Sequence, residues 1–297
     1  MTDARRPLDR TAYAVMLVCT LLWGLQQVSV KVAAAGVSPV MQGGLRSVIA
    51  TLLLLAWAQA RGTGLFERDR TLAPGLAAGV LFAAEFFLIY FGLGHTLASR
   101  MVIFIYLAPV LTALGLAWWV PSERLTARQW LGVALAFAGI VAAFADGLAG
   151  AGHDTVLGDA CGVVAAVLWA ATTVLIRATR LARARAEKTL LYQLAVSAAL
   201  LPLASIVLGE PGIVRLDTLT VSMLLYQSVI VAFASYLAWF WLLTRYYAAR
   251  LSVFAFVAPL AGVAFGVVLL GERLSTSFIA AALLVAIGIT LVNARRS

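Results

Sequence analysis

The stretch ASRMVIFIYLAPV, residues 98–110, returns as AARLSVFAFVAPL at 248–260. At a constant offset, Arg100 meets Arg250, Phe104 meets Phe254 and Pro109 meets Pro259. Just downstream, SERLTARQWLGVALAFAGI (122–140) aligns with GERLSTSFIAAALLVAIGI (271–289). Upstream, LLWGLQQVSVK (21–31) aligns with VLWAATTVLIR (167–177), pairing Trp23 with Trp169 and Lys31 with Arg177. The blocks keep their order and share polar and proline landmarks. Chance likeness between apolar segments does not do that, so the chain is an internal duplication.

The duplicated unit is built for lipid. The chain of 297 residues is 63% hydrophobic and 12% charged, with a mean hydropathy of +0.99. A water-soluble protein of that length needs far more polar surface to cover its core. Apolar runs fall at 11–32, 39–60, 72–94, 97–120, 128–146, 158–179, 187–208, 218–243, 247–270 and 276–294. Each is long enough to cross about 30 Å of hydrocarbon as a helix. Only a helix satisfies its own backbone in lipid, and the short alternating segments of a membrane barrel are absent. The expected fold is therefore an all-α polytopic membrane protein. It forms a single membrane domain over 1–297, with repeat one at 11–146 and repeat two at 158–294. Each half holds five spans, an odd number, so the second half enters the membrane from the opposite side. Ten helices in two inverted repeats around a central cavity are a recurring plan of secondary transporters.

The net charge of +9 reads as a topology signal. With the N-terminus in the cytoplasm, 17 of the 22 Lys and Arg fall on that side, four on the other, and Arg46 within a span. Positive-inside bias then puts both termini in the cytoplasm. Nucleic acid is not an expected partner, because no separate basic domain or aromatic-basic platform exists. The run from Thr11 to Lys31 exceeds a signal-peptide core of about 7–15 residues, so it reads as a retained first helix. Cys19 and Cys161 lie inside apolar runs and show no disulfide or metal spacing. No catalytic cluster, P-loop or metal motif is present. The expectation is no enzyme, no cofactor and no metal.

Intramembrane charge marks the candidate site. Glu85 lies close to the middle of its span, where a charge costs a few kcal/mol or more unless it faces protein or water. It reads as a protonatable coupling group or a counter-charge for an ammonium. A neutral hydrogen-bonded carboxyl, or an ion pair with Arg46, is the structural alternative. Arg46 suits a substrate carboxylate bidentately, or equally braces helix ends. His95, at the end of the third span, is a second coupling candidate, histidine being the side-chain type that changes charge nearest neutral pH, or simply structural. Trp23, Tyr90, Tyr106, Trp169, Tyr226, Tyr236 and Trp239 are not all at span ends, where belt aromatics belong. As a set they suit cavity walls; singly, each also suits helix packing. Pro109 and Pro259 remove equivalent backbone donors in mid-span, so kinks serving as hinges are expected. Glu123 and Glu272 suit helix caps or neutralisers of neighbouring arginines better than coupling groups. Trp23, Gln26, Gln27 and Val30 share one helix face, and Trp169, Thr172, Thr173 and Ile176 repeat it. Gln27, a full turn from Trp23, is the stripe's first candidate for substrate contact. Hydrogen bonding between helices is the alternative for either glutamine.

These landmarks carry a resemblance. Trp23-Gly24, Arg46, Ala108-Pro109, and Glu123-Arg124-Leu125 with its counterpart Glu272-Arg273-Leu274 are similar to those of the drug/metabolite transporter superfamily. Over about 11–294 the chain resembles its ten-helix exporters built from two EamA-type repeats. Its aromatic-rich spans and length resemble the YddG-type branch, which exports aromatic amino acids. Ala170 departs from the pattern, standing where glycine follows the second tryptophan. The resemblance implies a bacterial inner-membrane exporter of small metabolites, aromatic amino acids first. Substrate would be held by Trp23, Gln27, Arg46, Glu85, Tyr106, Trp169 and Trp239. Protons are the candidate coupling ion, membrane lipid the surroundings, and a monomer the expected working unit. Efflux of lipophilic cations is the alternative within transport; a membrane enzyme or scaffold is the alternative outside it.

Overall fold

A computed structural model describes residues 9–65, 67, 69–119, 125–150, 152–245 and 257–293. The helices are α1 Arg10–Ala33, α2 Pro39–Ala60, α3 Leu72–Leu93, α4 Ala98–Ile105, α5 Ala108–Trp119, α6 Ala127–Gly150 and α7 Gly152–Ala178. A 3-10 helix at Arg180–Arg183 leads to α8 Ala186–Val207 and α9 Thr218–Leu225. A π-helical segment, Tyr226–Ser235, follows, then α10 Tyr236–Arg245, α11 Val257–Leu270 and α12 Thr276–Asn293. Among the described residues, seven stretches are long and apolar enough to cross a membrane, and Ala127–Ala143, Val257–Leu270 and Thr276–Leu291 are shorter apolar helices. The protein is a multi-pass helical membrane protein. Local chemistry sets several starts. Asp9 accepts from the Ala12 amide at 2.9 Å, Pro39 fills the first position of α2, and Asp217 accepts from the Thr220 amide at 2.8 Å.

Among the described residues, two spans depart from a continuous helix. The fourth is broken at Tyr106–Leu107, between α4 and α5. Pro109 was expected in mid-helix. It is instead the second residue of α5, where the missing N–H has no intrahelical partner to lose. The result is an interruption, not a kink in a continuous helix. Pro259 is likewise in the first turn of α11, and it is buried. The eighth span carries the ten-residue π segment. Within it, Ser228 and Ser235 hydroxyls each donate at 2.6 Å to the carbonyl four residues back, Leu224 and Val231. That bond competes with the backbone donor for the same acceptor, which favours a wider turn.

Packing follows the duplication. The second span crosses the seventh (α2 on α8) and the fifth crosses the tenth (α6 on α12). α1 packs on α11, just as α7 packs on α4 and α5. Every one of these pairs joins one half to the other. Gly139 and Gly288 are equivalent residues and meet at the α6–α12 crossing. A β-carbon on Gly139 would sit 2.7 Å from the Ala281 carbonyl oxygen, and one on Gly288 2.6 Å from the Ala136 amide nitrogen. Hydrogen at those positions lets the backbones touch. Around the bundle, leucine, isoleucine and valine are exposed, as at Leu52, Ile206 and Val268. That is the belt a lipid phase covers.

The face opposite the N-terminus is zipped between the halves. Ser38 N–H donates to Gly212 at 2.9 Å and Val214 N–H to Gly36 at 2.8 Å, beside an isolated β-bridge between Val37 and Ile213. Glu210 accepts from the Val40 and Met41 amides, 3.2 Å each, capping α2. Glu272 caps α4, accepting from the Ala98 amide (2.7 Å), the Ser99 amide (3.0 Å) and the Ser99 hydroxyl (2.5 Å). Arg100 donates to Asp159 and Asp146 and to the Ala143 carbonyl, with Thr96 also on Asp159. On the arginine-rich face, Lys188 meets Asp69 at 2.9 Å and the Glu67 carbonyl at 2.6 Å.

Candidate substrate site

The centre of the bundle is a polar cluster that begins at Arg46 on α2. The guanidinium is 1% exposed. Nη2 donates to the Tyr236 hydroxyl at 3.1 Å, and the group lies 4.1 Å from the centre of the Phe86 ring. Its Nε and Nη1 have no hydrogen-bond partner. Two unsatisfied charged donors in the interior are costly, about 1–3 kcal/mol each or more. Glu85, 5% exposed on α3, lies within electrostatic reach of Arg46. The two make no direct ion pair, which removes the simplest structural account of either. No described residue hydrogen-bonds the Glu85 carboxylate.

Aromatic pairs stand next to this centre, linked to it through Ser235 and Tyr236. Trp23 Nε1 donates to the Ser235 hydroxyl at 2.9 Å, and its ring meets Trp239 edge-on with centroids 5.8 Å apart. Tyr106 and Trp169 form a second edge-on pair at 5.6 Å. Tyr236, which holds Arg46, follows Ser235 and is within electrostatic range of Tyr106. The two repeat-related tryptophans thus each take an aromatic partner, on spans eight and four. Those are the two spans interrupted among the described residues. Discontinuous helices beside polar groups are what a midplane site requires, because free backbone groups are tolerated there only when they line a cavity or find partners.

A hydrogen-bonded line leads outward from the centre. Gln26 Nε2 donates to the Tyr90 hydroxyl (3.1 Å), and Tyr90 donates to Gln227 Oε1 (2.8 Å). Gln227 Nε2 donates to Gln42 Oε1 (3.0 Å), and Gln42 Nε2 donates to the Val37 carbonyl (2.8 Å) in the zipped face. Tyr90 is also a close neighbour of Arg46. Gln42 and Gln227 are fully buried. Sequence reasoning passed over both. The available signal was the one used for Gln26 and Gln27, an amide inside an apolar run.

The predicted residues separate cleanly. Arg46, Tyr106, Trp169, Trp23 and Trp239 adjoin one another through Tyr236 and Ser235, and Glu85 is within reach of Arg46 and Tyr236. Gln26 is the glutamine tied into the hydrogen-bonded line, whereas Gln27 makes no hydrogen bond to a described side chain and its Oε1 is buried without a partner. His95 lies past the end of α3, its ring 4.8 Å from Phe91, away from the cluster. Glu123 lies outside the described residues. The Arg100–Asp159–Asp146 network was not anticipated; Asp159 is fully buried. No group of described residues is arranged to hold a metal ion.

The fold and the site define an inverted-repeat membrane protein with a polar, aromatic-walled centre. The EamA-like transporter family matches the chain twice, over 10–145 and 156–294, and the chain belongs to that family. It is a membrane transporter. It is 27% identical over 286 residues to a probable amino-acid metabolite efflux pump of Salmonella typhimurium, covering 92% of this chain and 91% of that protein. It is 26% identical to a probable amino-acid metabolite efflux pump of Escherichia coli, covering 90% of each, and 26% identical to the uncharacterized transporter YvbV of Bacillus subtilis, covering 98% and 94%. A solved crystal structure superposes with a TM-score of 0.66 at 23% identity, over 95% of this chain and 97% of that one, which supports the same fold.

Proposed function

We propose that the protein exports amino acids, aromatic ones foremost, by alternating access between its two repeats. The observation that carries this reading is the buried Arg46 with two unpartnered donors, beside a Glu85 carboxylate that it does not pair with. A zwitterion completes both groups at once. Its carboxylate takes a free Arg46 donor, Nε or Nη1, together with the second N–H of Nη2 as a fork, and its ammonium takes Glu85. Gln27 offers one further amide acceptor. The side chain of the amino acid meets the aromatic pairs Trp23–Trp239 and Tyr106–Trp169, which suit a ring. A lipophilic cation would leave Arg46 Nε and Nη1 without partners and adds its own positive charge beside them, so it is the poorer ligand. The names of the enteric relatives agree in substrate class with this reading.

In the full cycle, substrate enters from the cytoplasm, the side to which the positive-inside bias assigns both termini in this reading, and leaves as the zipped face opens. Pro109 and Pro259 serve as hinges at the starts of α5 and α11. Glu85 is the coupling group if export exchanges a proton. The chain works as one domain in the bacterial inner membrane and, as a monomer, needs no cofactor and performs no covalent chemistry. The test is a substrate panel in proteoliposomes. Phenylalanine, tyrosine and tryptophan are expected to exchange and tetraphenylphosphonium is not; failure of all three amino acids would overturn the proposal. Glu85→Gln run with and without a pH gradient reads the coupling: a native rate that follows the gradient and a variant rate that does not assigns the proton to Glu85.

A further inference from the structure

The arginine-rich face carries a cleft of about 720 Å³ whose walls come from both halves. Arg70 and Pro74 contribute from the start of α3. Arg177, Thr179, Arg180 and Arg183 contribute from the end of α7 and the 3-10 helix after it. The local sequence builds this wall. The Thr179 hydroxyl accepts from the Leu181 amide at 3.4 Å and starts the turn. Leu181, 2% exposed, is the anchor packed into the protein. Residues three apart in a 3-10 helix eclipse one another, so Arg180 and Arg183 share an edge, and both are exposed. Arg70 adopts φ 58°, a region that residues with a β-carbon seldom occupy. The carboxylate nearest to it in sequence, Asp69, is already engaged by Lys188 and Thr71. Arg70, Arg180 and Arg183 pair with no carboxylate among the described residues.

Membrane topology asks only that loops on this face be basic. It does not require loops of different halves to converge on one cleft. The depth is also informative. α3 begins at Leu72 and α7 ends at Ala178, so the arginines stand at the boundary between apolar span and polar loop. Below them Leu72, Leu76 and Val80 are all exposed. Their four-residue spacing makes one apolar rail along α3. Cations above an apolar rail match an anionic headgroup above acyl chains.

We propose that this cleft binds an acidic phospholipid, its phosphodiester held by the arginines and its acyl chains running along Leu76 and Val80. Guanidinium groups pair with phosphate oxygens through two donors, and basic pockets at helix ends on the cytoplasmic side suit such headgroups. The bound lipid straddles α3 of the first half and α7 of the second, next to the Lys188–Asp69 contact, and so ties the halves together on this face.

The test uses the full chain in a non-ionic detergent, titrated calorimetrically with dioctanoyl phosphatidylglycerol, dioctanoyl phosphatidylcholine and inorganic phosphate. Phosphatidylglycerol should bind saturably, at least about tenfold more tightly than either of the others, and weaken in high salt. The double variant Arg180→Gln/Arg183→Gln should lose at least about tenfold in affinity. Arg180→Lys/Arg183→Lys, which keeps the charge, should retain saturable binding and guards against misfolding of the neutral pair. Arg128→Gln, an exposed arginine on the same face outside the cleft, should bind as the native chain does. Unchanged affinity in the double Gln variant would overturn the proposal. So would an equal loss in Arg128→Gln, which would mean diffuse surface charge, or phosphate binding as tight as the lipid, which would mean a free-anion site.

Discussion

At the scale of single residues, Arg46 is the most informative side chain. It is buried on a helix that otherwise faces lipid and protein, it rests on Phe86, and two of its donors lack partners. A lysine there keeps the charge but loses the planar fork, and Nζ cannot reproduce two parallel bonds to a carboxylate. Arg46→Lys should lower the transport efficiency for phenylalanine by about 10- to 100-fold, the equivalent of one or two charge-assisted hydrogen bonds. The measurement is initial uptake rate over a concentration series in proteoliposomes. Arg46 and Glu85 were legible in the sequence because charge stands out against an apolar background. Their relation was not. Pairing could be guessed from depth, yet the two do not pair. The partners of Arg46 and Tyr90, Tyr236 and Gln227, lie 190 and 137 residues away along the chain, and no periodicity reports contacts that distant.

At the scale of elements, hydrophobic runs located the spans well because length and apolarity alone decide whether a helix crosses lipid. They could not reveal two interruptions. The break at Tyr106–Leu107 and the π segment Tyr226–Ser235 change how the backbone bonds but not which residues are apolar. Pro109 is a visible cue, but a proline in mid-span reads as a kink and does not by itself show that the helix stops before it. The inverted duplication makes a sharper claim about elements. Gly139 and Gly288 do the same job at one crossing, so Gly139→Val and Gly288→Val should each destabilise the protein by about 1–3 kcal/mol through overpacking. Thermal unfolding in detergent should show both melting temperatures lowered by similar amounts. A loss at only one glycine would deny the symmetry of the crossing.

At the scale of the whole molecule, both ends of the bundle are fastened between halves, by unlike means. The face opposite the N-terminus uses backbone pairing and carboxylate caps. The arginine-rich face uses the ion pair of Lys188 with Asp69. Hydrogen bonds from Lys188 and then Thr71 hold the Asp69 carboxyl down to about 2. A depressed carboxylate stabilises the folded state above its unfolded pKa, which is about 3.9, and that contribution disappears as pH falls through the folded value. The difference in melting temperature between native protein and Asp69→Asn should therefore be constant from neutral pH to about 5 and shrink between about 4 and 2. It should be modest, because Asp69 is more than one-third exposed. The proposed alternating access requires that one fastening yield while the other holds, and the lighter one faces the side from which substrate is proposed to arrive.

The central claim is that a zwitterion bridges Arg46 and Glu85 of the first repeat, beside Tyr236 of the second. Counterflow in proteoliposomes tests it most directly. Vesicles loaded with unlabelled L-phenylalanine, phenethylamine or 3-phenylpropionate are diluted into trace labelled phenylalanine. The three share a ring; the second lacks the carboxylate and the third the ammonium. The account predicts that only internal phenylalanine drives accumulation of the label. Equal counterflow from phenethylamine or 3-phenylpropionate would contradict it, because a ligand with one charge would then satisfy a site built for two.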